Sequence, residues 1–336
     1  MTREIRWGII GVGAVAPKHA AAIKALPQIK LVAACDLNAS AAEHFGREHA
    51  AEFWCADYRE LVARPDVDAV TIALPHHLHE QVAVEVAAAG KHVLIEKPLA
   101  ITAAEAQHII NACNQSGVKL TVGYQNRFDP LASKLFSEIR SGRLGRLLLA
   151  SLYVKWYRDK NYYQSVPWRG DWDRGGGGVL INQASHGVDL FLWLEGTIKR
   201  VSAQMAILNH DIEVEDSIQA LVQFDNGAFG VIEATTCAYP GFSIRLELSG
   251  TNGTAIYEPG NNRLHWHLLN EKKDWVDETP KGSLAGHTVL YHDFVTAIYE
   301  DRPPLIDGAA ALRSVELIQA IYYSARAETT VKLTQS

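Results

Sequence analysis

Two places in this 336-residue sequence gather side chains able to do chemistry. The first is Lys91-His92-Val93-Leu94-Ile95-Glu96-Lys97-Pro98-Leu99, where a short apolar run, read as a buried parallel strand, delivers a lysine to its carboxyl end. Ligands of open parallel sheets sit at that end, and Pro98 keeps Lys97 out of helical geometry, so the ammonium projects from extended backbone. An ordinary strand end with a solvated lysine and a proline stop has the same sequence. The second place is a helix expected from about Val179 to Leu194, apolar nearly all round yet carrying Asn182, His186 and Asp189 at i, i+4 and i+7. Each buried polar group left unpaired costs about 1 to 3 kcal/mol, so this stripe needs either internal hydrogen bonds or a cavity holding a ligand. Four glycines before it, Gly175 to Gly178, tilt the reading toward a site, because they leave backbone open to a bulky ligand and plain packing does not ask for them.

A third stretch concerns phosphate. The strand Ile5 to Ile10 runs into Gly11-Val12-Gly13-Ala14-Val15-Ala16, the G-x-G-x-x-A form of a dinucleotide fingerprint: Gly11 permits the tight turn, Gly13 lets backbone approach a pyrophosphate, and Ala16 lets the following helix pack close. A second strand, Lys30 to Cys35, ends in Asp36, at the separation expected for the carboxylate that binds the adenosine ribose. Asp36 would accept from a free 2′-hydroxyl and repel a 2′-phosphate, and neither Leu37 nor Asn38 supplies a compensating cation, so NAD is favoured over NADP. The alternative role for Asp36 is a helix N-cap, which Asn38 or Ser40 could equally fill.

The elements that position these residues alternate strand and helix as far as Gly123: a helix from Ala39 to Ala50, strands near Phe53 and from Ala69 to Leu74, a helix opening at Pro75-His76-His77-Leu78-His79-Glu80, then a helix from Thr102 to Ser116 and the strand Val118 to Gly123. Three histidines there lack an acidic or cysteine partner at ligand spacing, and a helix start directs neighbours apart, so they suit cofactor or substrate contacts and no metal site is expected. Six strands make a doubly wound parallel nucleotide-binding sheet, residues 1–123. From residue 124 to 336 alternating runs separated by Asp225-Asn226-Gly227 and Thr251-Asn252-Gly253 predict an α+β domain on a largely antiparallel sheet, for substrate binding and oligomerisation. It closes with helices from His287 to Glu300 and Ala309 to Ala327, the second expected to pack back toward the first domain.

Composition narrows the partners. With 48% hydrophobic and 21% charged residues and a net charge of -6, the chain is an ordinary globular protein with no basic footprint for nucleic acid or anionic lipid. Cys35, Cys55, Cys113 and Cys237 show no paired spacing, which points to a reducing compartment, and with no signal peptide or membrane-spanning run the cytoplasm is the expected location.

Gly11-Val12-Gly13, Glu96-Lys97-Pro98, Gly123-Tyr124-Gln125-Asn126-Arg127-Phe128, and Gly176-Gly177-Gly178-Val179-Leu180 followed by Asn182 and His186, in this order over nearly the whole chain, resemble the Gfo/Idh/MocA oxidoreductase family. The resemblance implies reversible oxidation of a secondary alcohol of a sugar, sugar acid, amino-sugar derivative or cyclitol, with the hydride passing to a nicotinamide. It puts the family's catalytic lysine on Lys97 and its histidine on His186. The usual aspartate is Asn182 here, and because an amide orients a hydroxyl but cannot take its proton, proton transfer falls to Lys97 and His186. Cofactor contacts expected on this basis are Gly11, Gly13, Ala14, Val15, Asp36, Leu37, Leu74, Pro75, His79, Glu96, Lys97 and Gln125. Expected substrate contacts are Tyr124, Arg127, Tyr163, Trp168, Arg169, Asn182, His186, Tyr239 and His287. The same fold also hosts glycosidases that oxidise C3 transiently with bound NAD, and catalytically silent sugar-responsive regulators. A homodimer or homotetramer through the second-domain sheet is expected.

Overall fold

The computed structural model describes residues 3–271, 274–279 and 286–333. The chain divides into two compact units, Met1–Gln125 with Leu284–Val315, and Asn126–Ser283 with Glu316–Ser336.

Six parallel strands form the sheet of the first unit: β1 (Ile5–Ile10), β2 (Ile29–Cys35), β3 (Phe53–Cys55), β4 (Ala69–Ile72), β5 (His92–Ile95) and β6 (Leu120–Val122), in the order β3-β2-β1-β4-β5-β6. Their crossovers carry α1 (Ala16–Lys24), α2 (Ala39–Glu48), α3 (Tyr58–Val62), α4 (His79–Ala88) and α5 (Ala103–Gln115). The apolar runs are buried along almost their whole length, as strands covered on both faces must be. Strand order reverses at β1, which pairs with β2 on one side and β4 on the other, so a ligand crevice opens at the carboxyl ends of β1 and β4.

Residues Leu284–Val315 cluster with this unit, whereas the division expected from sequence puts residues 124–336 in the second domain and has only the last helix, Ala309 to Ala327, pack back toward the first. The cause is Trp7. Its ring is fully buried, 4.9 Å from that of Tyr291 and 5.9 Å from that of Phe294 on the helix His287–Tyr299, and its Nε1 donates to Thr71 Oγ1 at 2.8 Å.

The described residues of the second unit form nine strands, β7 (Leu147–Lys155), β8 (Ile198–Ala206), β9 (Ser217–Phe224), β10 (Phe229–Thr235), β11 (Arg245–Gly250), β12 (Gly253–Glu258), β13 (Arg263–Leu268), β14 (Trp275–Glu278) and β15 (Val331–Lys332), in the order β14-β13-β12-β11-β7-β10-β9-β8-β15. Both expected turns join antiparallel neighbours, β9 to β10 and β11 to β12. One pair, β7 with β10, is parallel, which makes the sheet mixed. Burial alternates along β9 and β10, so one face packs on the core with Leu152, Val188, Phe191, Val222 and Leu246 while the other exposes Leu149, Leu221 and Phe229. Among the described residues no helix is long and apolar enough to cross a membrane.

Against the inner face lie α6 (Pro130–Arg140), α9 (Val179–Asn182) and α10 (Ser185–Glu195), and the short α7 (Lys160–Gln164) and α8 (Trp172–Gly175) come between α6 and α9 in the chain. The single helix expected from Val179 to Leu194 is thus two. Gln183 N and Ala184 N both donate to Val179 O, at 3.0 and 2.8 Å, so the turn widens and the ladder restarts one step out of phase. Asp189, the third member of the anticipated stripe, is fully buried and accepts a fork from Arg127, Nε to Oδ2 at 2.7 Å and a terminal nitrogen to Oδ1 at 2.6 Å. Arg127 is therefore a core ion-pair partner instead of an open substrate contact. Removing the carboxylate charge leaves a guanidinium buried without its counter-ion, so Asp189→Asn should lower the unfolding free energy by about 3 to 5 kcal/mol in urea melts.

Candidate active site

The phosphate cradle is laid down where β1 stops. Gly11 has φ +92°, and a Cβ there would run into the Ala73 carbonyl oxygen; a Cβ on Gly13 would meet nothing within 4 Å. Gly13 and Ala14 are exposed, and α1 begins behind Val15 with no side-chain cap, which leaves its first N–H groups for an anion. The Asp36 carboxylate is fixed beside this turn, accepting from Val12 N at 3.0 Å and Asn38 N at 2.9 Å. Asn38, and not Asp36, caps α2, accepting from Ala41 N at 3.2 Å, and Leu37 is 88% exposed. An open glycine, an uncapped helix start and an acceptor-only carboxylate with no following cation fit a dinucleotide bearing a free 2′-hydroxyl.

Leu74 and Pro75 follow β4 and are half-buried, as is Lys97 after β5. The Lys97-Pro98 bond is cis. His79 is displaced from its expected role: it is fully buried, with Nδ1 2.8 Å from Pro98 O and Nε2 2.9 Å from Leu74 O, and burial lowers its pKa. It braces the two strand-end loops against each other and presents no face to a cofactor.

Glu96 is drawn inward too, at 9% exposure. Its Oε1 lies 3.0 Å from His19 Nε2 and 3.2 Å from His287 Nε2, and Oε2 accepts from Lys97 N at 3.1 Å. Burial alone would raise this carboxyl, but hydrogen bonds from the two imidazoles hold it well below the usual range, while burial lowers His19. An ionised Glu96 only accepts, so a neutral His19 carries its proton on Nε2. Its Nδ1 then accepts from Tyr291 OH at 3.1 Å, and Tyr291 OH meets Thr71 Oγ1 at 2.5 Å, beside Trp7 Nε1. His19, Glu96 and His287 lie close enough together to share a metal ion, yet from Trp7 through Thr71, Tyr291 and His19 to Glu96 every hydrogen already has an acceptor. His287, expected at the substrate, is thus part of the support of Glu96.

In the second unit the four glycines turn out to be demanded by packing, contrary to the sequence reading. Added Cβ atoms would strike the Trp168 carbonyl oxygen at Gly175, Tyr322 OH at Gly177 and the Glu215 carbonyl oxygen at Gly178, and Gly176 is left-handed at φ +77°. Glu215, only 2% exposed, is the bracket of this turn. It accepts from Gly178 N at 2.8 Å, Leu180 N at 2.9 Å and Tyr322 OH at 2.8 Å, and so holds the segment ending in Asn182. In residues 175–192 every position is buried except Asn182 and His186. The widened turn therefore delivers these two, and no other residue of the run, to accessible surface.

The remaining expected contacts separate. Tyr163 is buried, its hydroxyl 2.9 Å from Thr236 Oγ1 and its pKa pushed up to about 12 by burial. Tyr124 is fully buried, Gln125 and Trp168 are half-buried, and Tyr239 is 79% exposed with its ring against Tyr157. Arg169 lies over the ring of Tyr162, 4.3 Å from its centroid. His19, Glu215, Tyr322 and Tyr162 were not singled out from sequence; only the general rule that a buried acid must find donors could have pointed to Glu215.

Residues 5–124 match the family model described as "Oxidoreductase family, NAD-binding Rossmann fold", and residues 134–256 match the GFO/IDH/MocA C-terminal domain. An uncharacterized oxidoreductase of Bacillus subtilis, YrbE, is 31% identical over 76% of this chain and 74% of its own. The scyllo-inositol 2-dehydrogenase (NAD(+)) of Bacillus subtilis is 29% identical over 94% of this chain and 93% of its own. The crystal structure of the WlbA dehydrogenase from Bordetella pertussis, in complex with NADH and UDP-GlcNAcA, superimposes with a TM-score of 0.88 at 32% identity, covering 99% of this chain and 100% of that one.

Burial pushes Glu215 up to about 7, against a usual 4.5, outweighing the three donors that favour its anion. The folded protein then holds this proton more tightly than the unfolded chain, so the group's contribution to stability is full below about pH 4.5 and is lost as pH rises through 7. Glu215→Gln, which cannot titrate, should be more destabilising at pH 5 than at pH 8, by up to about 3 kcal/mol in denaturant melts.

Proposed function

Since the chain belongs to the Gfo/Idh/MocA family of NAD-binding oxidoreductases, we propose that it oxidises a secondary alcohol of a sugar, sugar acid, amino-sugar derivative or cyclitol, reversibly, with Lys97, His186 and Asn182 as its catalytic residues. The observation that carries this reading is the position of Lys97 at the carboxyl end of β5, in the sheet whose β1 and β2 ends form the cradle. Gly11, Gly13, Ala14, Val15, Asp36 and Leu37 would hold the adenosine half of NAD, with Leu74, Pro75 and Lys97 toward its other end. When bound, NAD supplies a nicotinamide ring that takes or returns a hydride.

The protein's own task is the proton. Lys97 takes it from the substrate hydroxyl in oxidation and returns it in reduction, with His186 as the partner acid or base. Asn182 orients the hydroxyl through its amide, and Glu96 acts from behind, fixing the Lys97 backbone through its N–H. The relatives act on, or are held with, ring-shaped polyols and sugar derivatives by their names, which supports this substrate class. Neither the transient-oxidation glycosidase nor the silent regulator gains a supporting observation. The outward sheet face with Leu149, Leu221 and Phe229 belongs to the same reading as the contact between copies.

Lys97→Ala should reduce NADH formation on the best polyol or sugar substrate by about 10²- to 10⁴-fold, followed by absorbance, while NADH affinity followed by its fluorescence changes little. Full turnover in this variant removes Lys97 from the chemistry.

A further inference from the structure

Four arginines of the second unit face a carboxylate: Arg127 meets Asp189, Arg143 meets Glu138 and Glu271, Arg174 meets Asp171, and Arg245 meets Glu247. Arg158 and Arg169 do not. Both are half-buried, and among the described residues neither has a carboxylate oxygen within 4.0 Å; they donate to backbone, Arg158 to Tyr157 O at 3.0 Å and Arg169 to Tyr162 O at 3.3 Å. Arg158 Nε is buried with no hydrogen-bond partner. The two guanidiniums converge on one ring, 5.0 and 4.3 Å from the centroid of Tyr162, so the like charges stand within about 9 Å of each other.

Holding two half-buried cations this close is unfavourable unless the aromatic face and a further anion offset it. A surface cavity of about 500 Å³ is present there, lined by Tyr157, Arg158, Asp159, Asn161, Tyr162 and Ser165. Its one acid, Asp159, is engaged in capping α7, accepting from Tyr162 N at 3.0 Å. The Tyr162 hydroxyl accepts from Gln183 Nε2 at 2.9 Å and so keeps its own hydrogen to donate. Gln183 is the residue after Asn182, about 3.8 Å along the chain between Cα atoms, which ties the cluster to the segment placed at the reacting hydroxyl.

We propose that Arg158, Tyr162 and Arg169 form a subsite for a carboxylate or phosphate carried by the substrate, and that the preferred substrates are therefore anionic sugar derivatives. The proposal rests on the dehydrogenase reading for what the bound molecule undergoes, but its binding is read independently. Planar forks suit both anions, a carboxylate by paired donors and a phosphate by several.

The test is isothermal titration calorimetry on the full chain saturated with NADH, so that the dinucleotide cradle is filled, using glucuronate for the carboxylate and glucose 6-phosphate for the phosphate. At least one should bind wild type, and Arg158→Gln and Arg169→Gln should each weaken it by about tenfold or more. Arg169→Lys, which keeps the charge but loses the fork, should weaken it less and covers the case in which a glutamine variant does not fold. The arm that responds identifies the anion. Binding equal in wild type and variants, or no binding of either compound to wild type, overturns the subsite. NADH formation with the same compounds is scored separately: a bound anion that is not oxidised leaves the subsite standing and counts against the proposed reaction.

Discussion

A carboxylate taken out of water must be given hydrogen-bond donors, and the way this is done at two glutamates shapes both functional segments of the chain. Glu96 sits behind the backbone of Lys97, and Glu215 sits behind the backbone that leads to Asn182. Burial acts on both in the same direction. At Glu96 two imidazoles overturn it, and the carboxyl stays ionised far into acid. At Glu215 the donors are two peptide N–H groups and a phenol, none able to become a cation, and burial prevails. One anchor is thus a fixed charge, and the other is an acid that changes state near neutrality.

Around these anchors, glycines mark where backbone or an oxygen comes too close for a side chain. In the first unit the close approach is the sheet's own, Ala73 against Gly11, and the open side of Gly13 is what remains for a phosphate. In the second unit the neighbours are Glu215, Tyr322 and Trp168, so the glycine run secures a bracket and not a ligand path. Identical residue types serve opposite ends, and only the atoms facing them distinguish the two.

Much of the fold was legible because its signals are local. Buried parallel strands announce themselves as unbroken apolar runs, and Asp225-Asn226-Gly227 carries its turn in its own chemistry, so the six parallel strands and both hairpins are legible from neighbours in sequence. The two turn signals of the second domain do not reach β13, β14 and β15, although β13 interleaves Leu264 and Trp266 with His265 and His267. The break between α9 and α10 contains no proline or glycine to flag it. What stayed hidden at the site depends on partners far apart in the chain. His19 meets Glu96 across 77 positions and Tyr291 across 272; Glu215 meets Tyr322 across 107. No spacing rule reaches that far, so His287 was assigned to substrate and the glycine run to a ligand.

The aromatic cover over Trp7 carries a temporal meaning. A chain emerging from the ribosome completes all six parallel strands long before Tyr291 and Phe294 are made, and until then the indole of β1 and the Thr71 hydroxyl lie without their lid. In the second unit β7 must likewise wait for β10 and β11, some eighty to a hundred residues downstream, before either of its edges is paired. The nascent protein therefore exposes an apolar face and an unpaired strand through most of its synthesis, and a dinucleotide-binding fragment cut at residue 125 would keep the first of these exposures permanently.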